Sequence, residues 1–501
     1  MKKLWILSLI AAGILLLSAC GSCDNTDENG PPPEDDIVQA NYGGVMQDEE
    51  TGPPVRSLSI LAPSQYEPEI RRAMLNLNIQ QMLLPEDARV EWDFDLNFYY
   101  WTDWEQQVQR LQVMLMAGEG YDLFFLDGHP LWNYAESGFL ADFYALIDAD
   151  PLLNRGDFFH NPLAAMEING GLYAMPMSFG FTYVLINAEL PESIIQRFSQ
   201  HSTITFSELM DIYIDLQLEY GHEFGHLHFY GGASPFVSDG PRRVMESYMA
   251  SFIDMDSRTV DLVNDQFFDF LNRHSQVFDG WSPAGRGFVA FGRASNLVER
   301  AELDAFFITS GYQDPAFSLF EYVEQPYFLH GIPISDANGR LLIAPEHRHM
   351  SGTITVACIL AGGNTDNAWE FTKQLINIFN DFAIESKILE ANTGVSSSHN
   401  WLVSSPILHS LYESHMPLIF DQLFSFNTVR DGDPDVLRQY VDDAVAKLAA
   451  FNEMPMAMAF PFVPDHVGLE DDIDQFTRGL ISAEVLAQRM QNSISLWLIG
   501  G

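Results

Sequence analysis

Short apolar segments of strand length alternate with amphipathic segments of helix length in the early part of this chain. Residues 58–62 form the first apolar run, and residues 67–84 have helical spacing that ends at Pro85. A second strand is predicted at about 90–98, and residues 121–126 are almost entirely apolar. Such alternation predicts an α/β architecture with a parallel sheet that is buried on both faces.

The length of the chain predicts more than one folding unit. Single hydrophobic cores stop growing at about 250 to 300 residues, whereas this chain has 501 residues, of which 47% are hydrophobic. We therefore expect two lobes, each with a core of its own.

The charge balance excludes one class of partner. The chain carries 69 acidic and 25 basic residues, a formal net charge of −44, and a phosphate backbone requires a basic surface. Nucleic acid is therefore not expected as a partner, and the acidity predicts a solvating surface. The three cysteines, Cys20, Cys23 and Cys358, do not predict a structural disulfide, and Cys358 fits a small core residue.

The N-terminus has the features of a secretion signal. Lys2 and Lys3 precede an apolar run at 4–17, which would span roughly 21 Å as a helix, too short for a hydrocarbon core of about 30 Å. The run ends in Leu17-Ser18-Ala19-Cys20, which resembles the bacterial lipoprotein signal. The resemblance implies a signal peptide at 1–19 and lipidation (palmitate) at Cys20. The alternative is an ordinary signal peptide in which this cysteine is incidental.

Several segments, in order along the chain, resemble the extracellular solute-binding proteins of bacterial ABC importers, in particular sugar-binding lipoproteins (family 1-like). Glu136-Ser137-Gly138-Phe139-Leu140-Ala141-Asp142-Phe143 is similar to the family's "aesGlladl" segment, and Asn169-Gly170-Gly171-Leu172-Tyr173-Ala174-Met175-Pro176 to its "dGklYalP" segment. Residues 111–128, 293–307 and 366–379 match further segments. Each segment is short, and it is their order that carries the resemblance.

The resemblance implies an α/β, two-lobed periplasmic-binding-protein-like fold (type II) with a ligand cleft between the lobes. Residues 20–56 are rich in Asp, Glu, Gly and Pro and predict a disordered linker, spanning roughly 30 to 36 Å as a flexible coil. The expected lobes are discontinuous: lobe 1 is 57–180 plus about 308–380, and lobe 2 is about 181–307 plus about 381–501.

Ligand contacts are expected in loops just after strands, because ligands of open α/β sheets bind beyond the carboxyl ends of the strands. Aromatic faces stack on sugar rings, and a carboxylate accepts paired hydroxyl hydrogen bonds. For any one of the aromatic residues, packing in the core is the alternative role. The candidates are Tyr66, Asp127, Trp132, Phe179, Tyr183, Trp281, Tyr312 and Tyr327.

One motif suggests a different class of protein. His222-Glu223-Phe224-Gly225-His226 matches the zinc-peptidase pattern H-E-x-x-H, in which a helix presents two zinc ligands and a general base. However, the helix predicted from Thr205 meets Gly221 just before the motif, and residues 227–230 alternate as in a strand. The context therefore predicts a helix-to-strand connection, with no metal and no catalytic residue.

The sequence as a whole predicts a receptor, not an enzyme, that needs no cofactor. It would capture a small solute, by resemblance a sugar or oligosaccharide, and deliver it to ABC permease subunits when its lobes close. The expected location is the outer face of the bacterial cytoplasmic membrane, where a monomer is held by its lipid anchor alone. The alternative is a surface-anchored hydrolase, either a zinc metallopeptidase that uses 222–226 or a glycoside hydrolase with a pair of carboxylates.

Overall fold

The structure is a computed structural model, and its described residues all fall within one compact unit, Pro53–Gly501. The described residues are 53–100, 103–126, 131–187, 190–220, 226–231, 240–277, 304–310, 328–345, 356–379, 405–410, 446, 449–458 and 468–500. The predicted signal peptide, the lipidation site Cys20 and almost all of the linker lie outside them.

The described elements alternate between strands and helices over most of the chain. The strands are β1 Val55–Pro63, β2 Glu91–Tyr99, β3 Leu123–Leu126, β4 Met175–Pro176, β5 Ser178–Asn187, β6 Ile204–Thr205, β7 His226–Gly231, β8 Ile253–Asp254, β9 Thr259–Val260, β10 Asp304–Ser310, β11 Phe328–Ser335, β12 Leu341–Pro345, β13 Val356–Ile359, β14 Ser405–Pro406 and β15 Met456–Met458. The helices are α1 Glu67–Met82, α2 Trp104–Met116, α3 Leu131–Glu136, α4 Phe143–Ala149, α5 His160–Ala164, α6 Glu192–Phe198, α7 Phe206–Tyr220, α8 Gly240–Met249, α9 Asp265–Val277, α10 Thr365–Phe379, α11 Leu469–Thr477 and α12 Ala483–Gly500.

The first sheet has the strand order β2-β1-β3-β13-β4. β1 pairs in parallel with β2 and with β3, as predicted, but β13 runs antiparallel to both β3 and β4. The expectation of an all-parallel sheet is therefore wrong for this part. The reason is the route of the chain, since strands of the second sheet, from β5 to β12, lie between β4 and β13 in the sequence.

The second sheet has the order β15-β12-β11-β5-β10-β7, with β6 and β14 paired at its sides. β5 is its longest strand and pairs antiparallel with β10, β11, β12 and β14. β7 pairs in parallel with β10, and β8 with β9 forms a separate two-stranded hairpin. This sheet is thus organised around a strand that enters it directly after β4 of the first sheet.

Among the described residues, the buried hydrophobic side chains form two cores, and three strands contribute to both. On β5, Phe179 and Phe181 pack in the first core and Val184 packs in the second. On β12, Leu341 and Ile343 belong to the first core and Leu342 to the second. On β15, Met456 and Met458 likewise belong to the first core, whereas Ala457 belongs to the second.

The two cores otherwise divide the chain by segment. The first core takes its buried residues from β1 to β4, from α1 to α5 and from β13 with α10. The second core takes them from α6 to α9, β11, α11 and α12. The two-lobed α/β class follows from this division, while the lobe boundaries given above stay a prediction.

Among the helices of the described residues, none has both the length and the apolarity that crossing a bilayer requires.

Candidate functional site

The carboxyl ends of β1 and β3 lie at one edge of the first sheet, because the two strands are parallel neighbours. β1 ends at Pro63 and runs into a 3₁₀ turn, Ser64–Tyr66, that leads to α1. β3 ends at Leu126, and α3 begins at Leu131. This is the edge at which ligands of open α/β sheets bind.

Two predicted ligand contacts are on this edge, and both side chains are buried. Tyr66 is fully buried, with its ring 5.3 Å from the ring of Phe125 on β3. Trp132, in the first turn of α3, is 5% exposed, and its indole N–H has no hydrogen-bond partner within the described part of the chain. Burying an N–H without a partner costs free energy, and a ligand atom that accepts a hydrogen bond from Trp132 would recover this cost.

The shared strand β5 carries two further predicted contacts. Phe179 is buried in the first core and packs edge-to-face with Phe159 and Phe181, at ring distances of 6.0 and 5.8 Å. The backbone of Tyr183 pairs with Thr309 on β10 and with Pro333 on β11. Both residues therefore lie on the strand that links the cores.

Thr182 on β5 was not among the sequence candidates. Its side chain is 1% exposed, and among the described residues its hydroxyl has no hydrogen-bond partner. It lies between Phe181 of the first core and Val184 of the second, where β5 passes from one to the other. No pattern of residue types identifies such a hydroxyl, because its missing partner is visible only in three dimensions.

The remaining predicted contacts, Asp127, Trp281, Tyr312 and Tyr327, lie outside the described residues and stay predictions. The contacts assigned to Tyr66, Trp132 and Phe179 also stay predictions, because a buried position fits both core packing and a cleft wall. The contact assigned to Tyr183 stays a prediction as well. The structure brings Tyr66, Trp132 and Phe179 into one core.

The H-E-x-x-H motif does not continue through a helix to its last residue. α7 ends at Tyr220, and His226 is the first residue of β7, while residues 221–225 lie outside the described part. The zinc-peptidase arrangement needs both histidines on one face of a helix, so His226 in a strand does not provide it. Elsewhere in the described residues, no cluster of three or more His, Cys, Asp or Glu could hold a metal ion.

Three titratable groups near the first sheet, Tyr134, Tyr144 and Cys358, have raised pKa values and are held in their neutral forms. Burial raises the pKa of the Tyr134 phenol on α3 and of the Cys358 thiol on β13. Burial also raises the pKa of Tyr144, and its hydrogen bond to Glu167, at 2.6 Å, adds to the effect. A neutral phenol or thiol is a poor nucleophile, so these groups are suited to packing and hydrogen bonding.

A groove of about 250 Å³ lies elsewhere on the first lobe. Its lining comes from α1, α10 and the segment 152–158, and includes Leu152, Phe158 and Lys373. Because these elements all belong to the first core, the groove is not the cleft between lobes that the sequence predicts.

The β8–β9 hairpin, defined here as residues 253–260, connects the two lobes at a separate place. Asp256 accepts a hydrogen bond from the backbone N–H of Asn169, at 3.0 Å, and Arg258 forms an ion pair with Glu136 at the end of α3. Met255 packs against both cores. The contacts between the lobes are therefore not confined to the shared strands.

The molecule has two α/β cores that share strands, and the carboxyl ends of β1 and β3 lie at the edge of the first sheet. This arrangement is the fold of the two-lobed periplasmic-binding proteins. Comparison with solved structures confirms this fold class. The sugar-binding protein MalE of the phytopathogen Xanthomonas citri matches with a TM-score of 0.54 at 12% identity, over 89% of this chain and 98% of that chain.

A putative oligosaccharide periplasmic-binding protein from Synechococcus sp. MITs9220, in complex with zinc, matches with a TM-score of 0.50 at 14% identity, over 88% of this chain and 99% of that one. A second structure of a putative oligosaccharide periplasmic-binding protein from the same organism gives a TM-score of 0.50 at 12% identity over the same shares. No protein-family model matches the sequence, and no curated protein is significantly similar to it. The similarity is therefore one of fold, and these structural neighbours are binding proteins.

Proposed function

We propose that this chain is an extracellular receptor that captures a small solute, a sugar or oligosaccharide, and delivers it to an ABC permease. The observation that carries the proposal is the pair of cores joined by β5, β12 and β15, because shared strands allow two lobes to close over a ligand. The neighbours named above, a sugar-binding and an oligosaccharide-binding protein, support the carbohydrate class.

Two buried polar groups that have no hydrogen-bond partner among the described residues fit a hydroxylated solute. Trp132 offers a buried indole N–H, and Thr182 offers a hydroxyl that can donate or accept. A sugar presents hydroxyls to such groups and C–H faces to aromatic rings. We propose that opening of the lobes exposes these two groups and that closure on a sugar satisfies them.

Thermal-shift measurements with maltose, maltotriose and a dipeptide as probes test this function. A ligand at 100 times its Kd should stabilise the protein by about 2.7 kcal/mol. We expect a shift with at least one saccharide, and a weaker shift with the Trp132→Phe and Thr182→Val variants. Trp497→Phe is the matched control, because it removes from α12 in the second core a buried indole N–H that, within the described part of the chain, also has no hydrogen-bond partner. A shift with the dipeptide alone would replace the carbohydrate assignment.

We further propose that the protein does no covalent chemistry. The position of His226 in a strand argues against a zinc peptidase. Metal analysis of the purified protein tests whether the chain binds zinc. The expected result is no stoichiometric zinc. Zinc bound in a 1:1 ratio and lost in His222→Ala would favour the hydrolase alternative.

The lipid anchor at Cys20, and with it a location on the outer face of the membrane, rests on the sequence. Labelling with radioactive palmitate in a bacterial host should mark the wild-type chain and Cys23→Ala but not Cys20→Ala. Equal labelling of both variants would contradict the assignment.

A further inference from the structure

The β8–β9 hairpin is anchored in the second lobe. Ile253 and Val260, one on each strand, pack against the second core. Directly after β9, the backbone N–H groups of Leu262 and Val263 both donate to the side-chain oxygen of Gln491 on α12, at 2.8 and 3.0 Å. The base of the hairpin is therefore attached to the second lobe.

The tip of the hairpin, by contrast, contacts the first lobe. The Asp256 carboxylate accepts the backbone N–H of Asn169, which is a charge-assisted bond, and Arg258 pairs with Glu136. The Arg258 side chain is 41% exposed and that of Glu136 is 29% exposed. Met255 fills the space between the two cores from the same tip.

Both partners have a backbone that is shaped for this contact. Asn169 and Gly170 have φ values of +50° and +76°, and Ile168 and Gly171 exchange two backbone hydrogen bonds across them, which is a tight two-residue hairpin turn. In the hairpin tip, Asp254 accepts the N–H of Ser257 and Arg258 has a φ of +53°. A left-handed backbone conformation is unfavourable for an arginine, and it persists only where the surrounding structure holds it. Here it occurs at Arg258, the residue that forms the ion pair.

We propose that the β8–β9 hairpin is a latch between the lobes, with Asp256–Asn169 and Arg258–Glu136 as its two contacts. Both contacts break when the lobes separate on this side. The latch therefore contributes to the free-energy difference between the arrangement with the latch formed and the arrangement with the lobes separated on this side. This difference affects the apparent affinity of any ligand that binds one arrangement more tightly than the other. This last consequence rests on the proposed receptor function, whereas the latch itself does not.

Hydrogen exchange followed by mass spectrometry tests the latch on the full chain without any solute. The amide of Asn169 is protected by Asp256, and its exchange rate reports how often that contact opens. We expect Arg258→Gln to accelerate exchange in the peptide that contains Asn169 by up to about fivefold. An exposed ion pair contributes at most about 1 kcal/mol, and a free-energy change of this size alters an equilibrium constant by about this factor. Glu136→Gln removes the carboxylate partner of the same ion pair, which lies in the first lobe, and should have the same effect.

Arg197→Gln is the matched control, since Arg197 is 40% exposed and its ion pair with Asp215, at 2.6 Å, joins two helices of the second core. It should leave the Asn169 peptide unchanged. The double variant Glu136→Arg/Arg258→Glu restores an ion pair of reversed polarity and should return exchange to the wild-type rate. Unchanged exchange in both single variants, or no recovery in the double variant, would overturn the latch. Because no ligand is present, a failed sugar screen would leave this result intact.

Discussion

Asp150 joins α10 to the segment that follows α4. Its Oδ2 accepts hydrogen bonds from the indole N–H of Trp369 and from Nζ of Lys373, each at 2.8 Å, and its Oδ1 accepts the backbone N–H of Leu152 at 2.8 Å. Burial alone would raise the pKa of this carboxyl, but the bonds from Lys373, Leu152 and Trp369 outweigh it and lower the pKa. The folded state therefore favours the ionised carboxylate.

We expect Asp150→Asn to destabilise the protein by about 2 kcal/mol, because a side chain that is only 3% exposed loses its charge beside Lys373. A lowered folded-state pKa stabilises the protein fully above the unfolded value of about 3.9, and this contribution disappears as the pH falls through the folded-state pKa. The urea midpoints of wild type and variant should therefore differ at pH 7 and converge as the pH is lowered toward 2.

Asp148→Asn is the control for this comparison, since its ion pair with Arg155 is about half exposed on both sides. Its midpoint should stay close to that of the wild type. A difference between wild type and Asp150→Asn that is independent of pH would contradict the assigned role of the carboxylate.

At the scale of elements, α7 shows how a local sequence signal defines one end of a helix. The N–H of Glu208 donates to Oγ1 of Thr205 at 3.2 Å, and the N–H of Thr205 donates to Oε2 of Glu208 at 2.8 Å. Thr205 and Glu208, three residues apart, therefore form a capping box. The helix then continues to Tyr220, directly before Gly221, as predicted.

Thr205→Ala should destabilise the protein by about 1 kcal/mol, because the first turn of α7 loses its side-chain acceptor. In a thermal melt, the expected decrease in Tm is about 1 °C, because a cooperative unit as large as Pro53–Gly501 has a high unfolding entropy. Ser202→Ala, at an exposed position three residues earlier, should leave Tm unchanged. Equal effects of both substitutions would contradict the capping role.

Strand order and direction were harder to predict than the elements themselves. The apolar runs at 58–62 and 121–126 predicted β1 and β3 because buried strands have a local pattern. The direction of β13 depends on the route of the chain through the second sheet, which no local pattern encodes. Aromatic side chains fit both a core and a sugar site, and so the sequence could not assign Tyr66 and Phe179 to one of the two roles.

At the scale of the whole molecule, the two cores should unfold together. The buried residues of β12 and β15 alternate between the cores, so neither core is complete without strands that also pack in the other. Loss of one core would leave apolar side chains of the shared strands exposed. We therefore expect cooperative unfolding of Pro53–Gly501 and not two transitions.

Leu486→Ala tests this coupling from the second core, where Leu486 is fully buried on α12. The substitution should destabilise the protein by about 2 to 5 kcal/mol. In a urea titration followed by hydrogen exchange, peptides from β1 in the first core should lose protection at the same lowered midpoint as peptides from α12. Retained protection of β1 at the wild-type midpoint would show that the lobes unfold independently.

The alternation in β12 also has a consequence for how this chain tolerates insertions and deletions. Leu341, Leu342 and Ile343 are all buried, and successive residues serve opposite cores. An insertion or deletion of one residue in β12 would turn the side chains that pack in the first core toward the second core, and the reverse. Variation in length is therefore expected to accumulate in the surface loops, and a homologue that binds a larger or smaller solute would differ in those loops while keeping the spacing of these three residues.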